Sequence, residues 1–167
     1  NLYPLSFTRP ISDFRIGIST IKEKWEFYYN DVSVKTDDYL SGKFPIKTKK
    51  DNLWINASVL PNEDLVTEIN SLRKGEILKK DKVVIAIYNH MFITSGLDEI
   101  ENHSTFNKIT DLWDIFSLNG EEIKNDFDRM VTPQRSQSSR KEIEILQQIK
   151  ESNVKIGNHP IYIEEGA

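Results

Sequence analysis

Apolar residues recur at helical spacing near the start of the chain. Phe14, Ile18, Ile21, Trp25 and Tyr28 follow one another at steps of four, three, four and three, which makes one stripe. The pattern predicts a helix over residues 13–30, capped by Ser12 or Asp13 and ended by Asn30. Gly17 lies inside it, and a mid-helix glycine costs about 1 kcal/mol relative to alanine, so a close approach of a strand or ligand, or tight packing, is called for. Val32 to Lys35 predicts a short strand, and Thr36-Asp37-Asp38 caps a brief helix ending near Gly42. Farther on the period changes to two. Leu53, Ile55, Ala57 and Val59 alternate with Trp54, Asn56 and Ser58, predicting a strand over 53–60. Pro61 to Asp64 then opens a helix over 62–73 with Leu65, Ile69 and Leu72 inward and Arg73-Lys74-Gly75 at its close. Val83 to Tyr88 is a continuous apolar run, as in the middle of a parallel sheet covered on both faces. Strand, tight loop, helix and strand together argue α/β, with strands 53–60 and 83–88 adjacent, parallel and joined by a right-handed crossover.

The second half carries less pattern. Residues 89–108 predict no element, whereas Leu112-Trp113-Asp114-Ile115-Phe116 is dense in large apolar groups and should anchor a contact. Asn119 is expected to cap a helix running through Met130 with Ile123 and Phe127 inward. A linker rich in Ser and Gln follows from Thr132 to Arg140, then an amphipathic helix from about Lys141 to Glu151.

A chain of 167 residues suffices for one domain, and about two-thirds of its unfolded surface is buried on folding. Hydrophobic residues at 38% and charged residues at 29% fit a globular chain, and a net charge of −4 gives no general attraction to nucleic acid or anionic membrane. Any phosphate site must therefore be local. The absence of cysteine excludes disulfides, thiolate zinc sites and cysteine nucleophiles. No apolar run approaches the ~18 residues of a membrane span, and a cytoplasmic location is expected. His90, His103 and His159 are scattered without metal-ligand spacing. The chain has no G-x-S-x-G elbow and no G-K-[ST] phosphate loop. Its aromatic residues are not interleaved with basic ones, which argues against nucleic-acid binding. The cluster Lys47, Lys49 and Lys50 reads as a solvated turn.

The chemistry concentrates at the opening. Pro4 and Pro10 hold the residues before them extended, so residues 2–10 should form a stiff non-helical loop. That loop carries Ser6, Thr8 and Arg9 and leads to a helix N-terminus, where backbone N–H groups and the helix dipole favour an anion. An arginine fork adds bidentate hydrogen bonds. The competing reading is a packing corner in which Arg9 pairs with a local carboxylate.

Leu2-Tyr3-Pro4-Leu5-Ser6 resembles the L-x-P-L-T part of the opening motif of sugar-phosphate nucleotidyltransferases. Phe7-Thr8-Arg9-Pro10, Arg15-Ile16-Gly17 and Lys24-Trp25 are similar to a bacterial branch that joins such a domain to a left-handed β-helix acyltransferase-like domain. The resemblance recurs at 52–65, 113–127 and 161–167. It implies a Rossmann-like, mostly parallel α/β domain over 1–151 and the truncated start of a hexapeptide-repeat β-helix over 152–167. The tail Ile161-Tyr162-Ile163-Glu164-Glu165-Gly166-Ala167 looks like one such turn, which needs about three stacked repeats to bury itself. The implied reaction joins N-acetylglucosamine-1-phosphate or a related sugar-1-phosphate to a nucleoside triphosphate. Arg9 and Arg15 would meet phosphate, and Leu5, Ser6, Thr8, Asn56 and Ser58 would contact the substrates.

Members of the family hold Mg²⁺ on an Asp at the strand end, and Ser58 stands at that point here, with Asp111, Asp114 and Asp126 as alternative carboxylates. A neutral hydroxyl is a poor ligand for a hard cation. The full-length protein is expected to trimerise through its β-helix. Since the chain lacks an initiating Met and opens inside a motif, its glycine-rich loop is expected upstream of Asn1. Two other readings stand beside the enzyme: a catalytically silent nucleotide- or sugar-binding module attached to the β-helix, and an ordinary α/β interaction domain.

Overall fold

The computed structural model describes residues 2–131, together with the backbone at 155–156 and 159–160. In chain order the elements are α1 (Ile21–Glu26), α2 (Asp38–Ser41), β1 (Asn52–Ile55), α3 (Glu63–Asn70), β2 (Glu76–Lys80), β3 (Val83–Asn89), β4 (Asp98–Glu101) and α4 (Leu112–Val131). Two further two-residue strands, β5 (Lys155–Ile156) and β6 (His159–Pro160), pair antiparallel. The expected β-helix over 152–167, like the linker and helix expected over 132–151, otherwise lies outside the described residues.

The domain is mixed α/β with a four-stranded sheet ordered β1-β3-β2-β4. The expectation of a mostly parallel sheet is corrected here. β3 pairs antiparallel with both β1 and β2, and only β2–β4 is a parallel pair. The physical reason is a strand the hydrophobic pattern concealed. β2 carries only Ile77 and Leu78 between charged residues, and Asp81, with φ of +54°, turns the chain straight back into β3. Since β1 and β2 both oppose β3, they run in the same direction. The strand–helix–strand unit is therefore β1–α3–β2, with β3 inserted between its strands. β3 still has the buried character its apolar run predicts, since Ile85, Ala86 and Ile87 are fully inaccessible. Trp54 and Ile77 flank Ile87 on one face, while Leu78 and Ile55 flank Ala86 on the other.

α3 forms as its sequence directs. The Asn62 side chain caps it by accepting from Leu65 N–H at 2.8 Å, and Leu65, Val66, Ile69 and Leu72 are buried. The strand expected to run to residue 60 stops at Ile55 because Asn56 forms a local turn. Its Oδ1 accepts from the Ser58 amide at 3.1 Å, and its carbonyl accepts from Val59 N–H at 3.0 Å. The strand expected at 32–35 does not form, whereas the brief helix before Gly42 does, as α2.

The helix expected over 13–30 is reduced to its second part, α1. Before it, residues 5–7 and 11–13 form short 3₁₀ turns, and Arg15 bridges Thr20 across a tight loop. Gly17 sits at that loop with φ of +78°. A β-carbon there would lie 2.8 Å from the Glu122 backbone and 2.7 Å from Asp126 Oδ2. Close approach of α4 is thus what the glycine serves. The loop's amides turn towards that helix: Gly17 N–H donates to Asn119 Oδ1 at 2.8 Å, and Ile18 and Ser19 N–H donate to Asp126 Oδ2 at 2.9 and 3.0 Å. Asn119, expected as a cap, instead lies inside α4, which starts seven residues earlier at Leu112. The cap is supplied by Asp114, whose Oδ2 accepts from the Thr110 and Asp111 amides at 2.7 and 2.8 Å.

Beneath the loop, Lys24 is fully buried, with its ammonium 2.5 Å from Asp126 Oδ1 and 2.8 Å from Glu122 Oε2. Arg129 completes the group at 2.7 Å from Asp126 and donates to the Pro61 carbonyl at 2.8 Å. Leu112, Ile115 and Leu118 of α4 pack on the core formed by Phe14, Ile16, Ile21, Trp25, Leu65 and Ile85. Ile123, expected inward, is exposed because Glu122 and Asp126 occupy the inner face.

Two outcomes are expected. Gly17→Ala forces a strained φ and pushes on α4 backbone, so stability should fall by about 2–4 kcal/mol, read as a melting temperature roughly 5–15 °C lower. The second concerns the α1 capping box, in which Thr20 N–H donates to Glu23 Oε2 at 2.6 Å and Glu23 N–H donates to Thr20 Oγ1 at 3.2 Å. The Thr20 amide bond holds the Glu23 carboxyl below its ordinary value of 4.5. A depressed pKa contributes stability above the unfolded value that is lost as pH falls through the folded one. The melting-temperature gap between wild type and Glu23→Ala should therefore be present at neutral pH and close under acid conditions below about 4.5.

Candidate active site

A cleft of about 950 Å³ opens between the proline-bounded loop, α1, the 30–49 connection and the β1–β3 side of the sheet. Its position follows from the fold. The Trp25 indole N–H donates to the Val59 carbonyl at 3.1 Å, which fixes α1 against the turn after β1. The second sheet face, carrying Trp54 and Ile87, forms the opposite wall.

The residues singled out from the sequence divide into three groups. Ser6 and Arg9 line the cleft, and Arg9 is exposed with no ion pair or hydrogen bond among the described residues. Leu5 and Thr8 are exposed on the same loop but are not part of the cleft lining, and neither is Arg15. The Arg15 guanidinium instead donates to the Ile18 carbonyl beside the Gly17 loop. Of the two arginines expected to meet phosphate, Arg9 lines the cleft and Arg15 does not. Asn56 borders the cleft, but its side chain is engaged, with Nδ2 donating to the Val84 carbonyl at 2.9 Å. Ser58 is buried outside the lining, and its hydroxyl donates to Asn56 Oδ1 at 2.8 Å.

These contacts bear on Mg²⁺. A hard cation needs carboxylate or phosphate oxygens free to turn towards it. Ser58 spends its hydroxyl on Asn56, Asp126 is enclosed by Lys24, Arg129 and two amides, and Asp114 is held by the amides at the start of α4. No group of three acidic or histidine ligands occurs among the described residues. Ser58, Asp114 and Asp126 are therefore each engaged within the fold rather than turned towards the cleft.

The cleft also gathers residues without a motif to reveal them. Of the lysine cluster, Lys47 and Lys49 line it, with Lys49 paired to Asp31 at 2.5 Å. Tyr29, one turn beyond Trp25, stacks on that indole at 6.1 Å, and its hydroxyl donates to Asn70 Oδ1 at 3.0 Å. Helical spacing from Trp25 was the available signal for Tyr29. Trp54 was visible only as the polar-phase member of a strand, and Phe92 lay in a stretch without pattern.

A mixed α/β domain whose cleft carries an arginine without an ion pair among the described residues is a setting suited to phosphate groups. Sequence comparison adds the family: the model of the sugar nucleotidyl transferase family matches residues 1–135. The chain belongs to that family. No curated protein and no solved structure matches it. No described helix is long and apolar enough to cross a membrane.

Burial pushes the Tyr29 hydroxyl up to about 12. A raised pKa contributes stability below the unfolded value, near 10, which is lost as pH rises towards the folded one. Ultraviolet titration should show one tyrosine ionising near pH 12 that is missing from Tyr29→Phe. An ordinary midpoint for all tyrosines would refute the partly buried placement of this ring.

Proposed function

We propose that the chain is a sugar-1-phosphate nucleotidyltransferase domain working in the cleft beside Arg9. The carrying observation is that Arg9 lines the cleft without a partner among the described residues, in a chain of the sugar nucleotidyl transferase family. In the proposed reaction a sugar-1-phosphate oxygen attacks the α-phosphorus of a nucleoside triphosphate. The bond from that phosphorus to the bridging oxygen breaks, and pyrophosphate leaves with the electron pair. Such transfer asks the protein mainly for in-line positioning and charge neutralisation. Arg9 can offer two parallel N–H donors to phosphate oxygens, and Ser6 offers a hydroxyl on the same wall. N-acetylglucosamine-1-phosphate and a uridine nucleotide are the proposed pair, with the cytoplasm as the proposed location. A β-helix trimer for the full-length protein belongs to the same proposal.

One observation favours a second reading, in which the domain binds a sugar nucleotide without turning it over. The strand-end position that carries a metal-binding Asp in active members holds Ser58, hydrogen-bonded to Asn56.

The test joins affinity, stability and turnover on one variant. Arg9→Ala should weaken nucleoside triphosphate binding roughly ten- to a hundred-fold, with the melting temperature unchanged because Arg9 makes no described contact. Lower stability with unchanged affinity in the folded fraction would sink the phosphate role of Arg9. Binding by the wild type without pyrophosphate release from any sugar-1-phosphate would favour the silent module.

A further inference from the structure

The loop between β3 and β4 places Met91, Phe92 and Ile93 consecutively in solvent, at 64%, 49% and 41% exposure. Three adjacent exposed apolar side chains are costly in water unless something covers them. Phe92 alone of the three lines the cleft, and its ring meets Trp54 edge-on, with centroids 5.7 Å apart and planes at 63°. Trp54 is a firm half of this corner, because its indole N–H donates to the Asn89 carbonyl at 3.2 Å and it pairs across the sheet with Ile87. The Lys35 ammonium lies 5.5 Å from the Phe92 centroid, adding a cation at the edge of the aromatic surface. Lys47 lines the same cleft.

We propose that Trp54 and Phe92 form a stacking corner for the planar base of the nucleotide, with Lys35 beside it. This assignment rests on the nucleotide-binding reading of the same cleft and extends it to the base. A nucleobase is flat, polarisable and wider than it is thick, and it stacks on an aromatic face without needing hydrogen-bond readout. A T-shaped pair leaves one ring presenting its face and the other its edge, so the corner covers a base on two sides. The Lys35 ammonium beside Phe92 is a donor that a carbonyl oxygen of the stacked base could accept from. Phosphate binding by Arg9 and base stacking by Phe92 are then separable contributions on different walls of one cleft.

The experiment measures affinities of the four common nucleoside triphosphates and of inorganic tripolyphosphate for the wild type, Phe92→Ala, Phe92→Leu, Phe92→Tyr and Arg9→Ala. Tripolyphosphate carries the anionic chain without the base. Phe92→Ala and Phe92→Leu should weaken the tightest-binding nucleotide roughly five- to a hundred-fold and leave tripolyphosphate unchanged, while Phe92→Tyr restores binding. Arg9→Ala should weaken both ligands. Equal nucleotide affinity in wild type and Phe92→Ala overturns the stacking corner alone, as does full rescue by leucine or a parallel loss of tripolyphosphate binding. Failure of the wild type to bind any nucleotide overturns the nucleotide reading itself. Because Phe92 is half exposed on a loop, Phe92→Ala should keep the wild-type melting temperature, and a fall would assign the ring to packing instead.

Discussion

The architecture depends on one buried ionic contact, between Lys24 of α1 and the Asp126 and Glu122 carboxylates of α4. Removing these charges from water costs several kcal/mol per ion, which only close pairing and further hydrogen bonds offset. Asp126 has both: Lys24 and Arg129 approach one carboxylate oxygen, and the Ile18 and Ser19 amides donate to the other. Taking away any one partner would leave uncompensated charge in the interior. The contact therefore acts as a register, admitting one placement of α4 against the Gly17 loop and hence one placement of α1. Through the Trp25–Val59 hydrogen bond, that placement also sets the wall of the cleft.

The anion-binding character read from the opening residues has two addresses in the folded chain. Successive backbone amides in a left-handed turn form a concave positive site, and at Gly17–Ser19 that site holds the chain's own Asp126. Arg15 belongs to this neighbourhood, where its guanidinium meets the Ile18 carbonyl. Arg9, six residues earlier, is on the cleft side of the same segment. The stretch thus divides its positive groups between fastening the fold and facing the space where a phosphate could enter.

The sheet separates these roles further. One face of β1 and β3 joins the core through Leu53, Ile55 and Ala86, packed with α3. Trp54 and Ile87 lie on the other face and line the cleft, whose border Leu53 and Ile55 also reach. One strand thus serves both packing and the candidate site. Asn56 then ends that strand with its own side chain, which is why Ser58 lies buried beside it rather than at an open strand end.

Several elements were determined by local sequence. Asn62 and the Leu65–Ile69–Leu72 stripe specify α3, because a cap and helical periodicity act over one or two turns. The apolar run at Val83 to Tyr88 declared a covered strand, and the family likeness was legible in the order of the motifs at the opening. Strand direction was not, because covering both faces of β3 requires only apolar residues and is indifferent to whether its neighbours run parallel. The charged, short β2 hid the element that made them antiparallel. The stripe from Phe14 to Tyr28 was likewise compatible with a long helix until α4 drew the amides at Gly17, Ile18 and Ser19 out of it. Helical hydrogen bonds there gave way to buried bonds with Asn119 and Asp126, partners more than a hundred residues away. A periodic pattern records which side chains avoid water, whereas the pairing of a buried charge is decided only when distant segments meet.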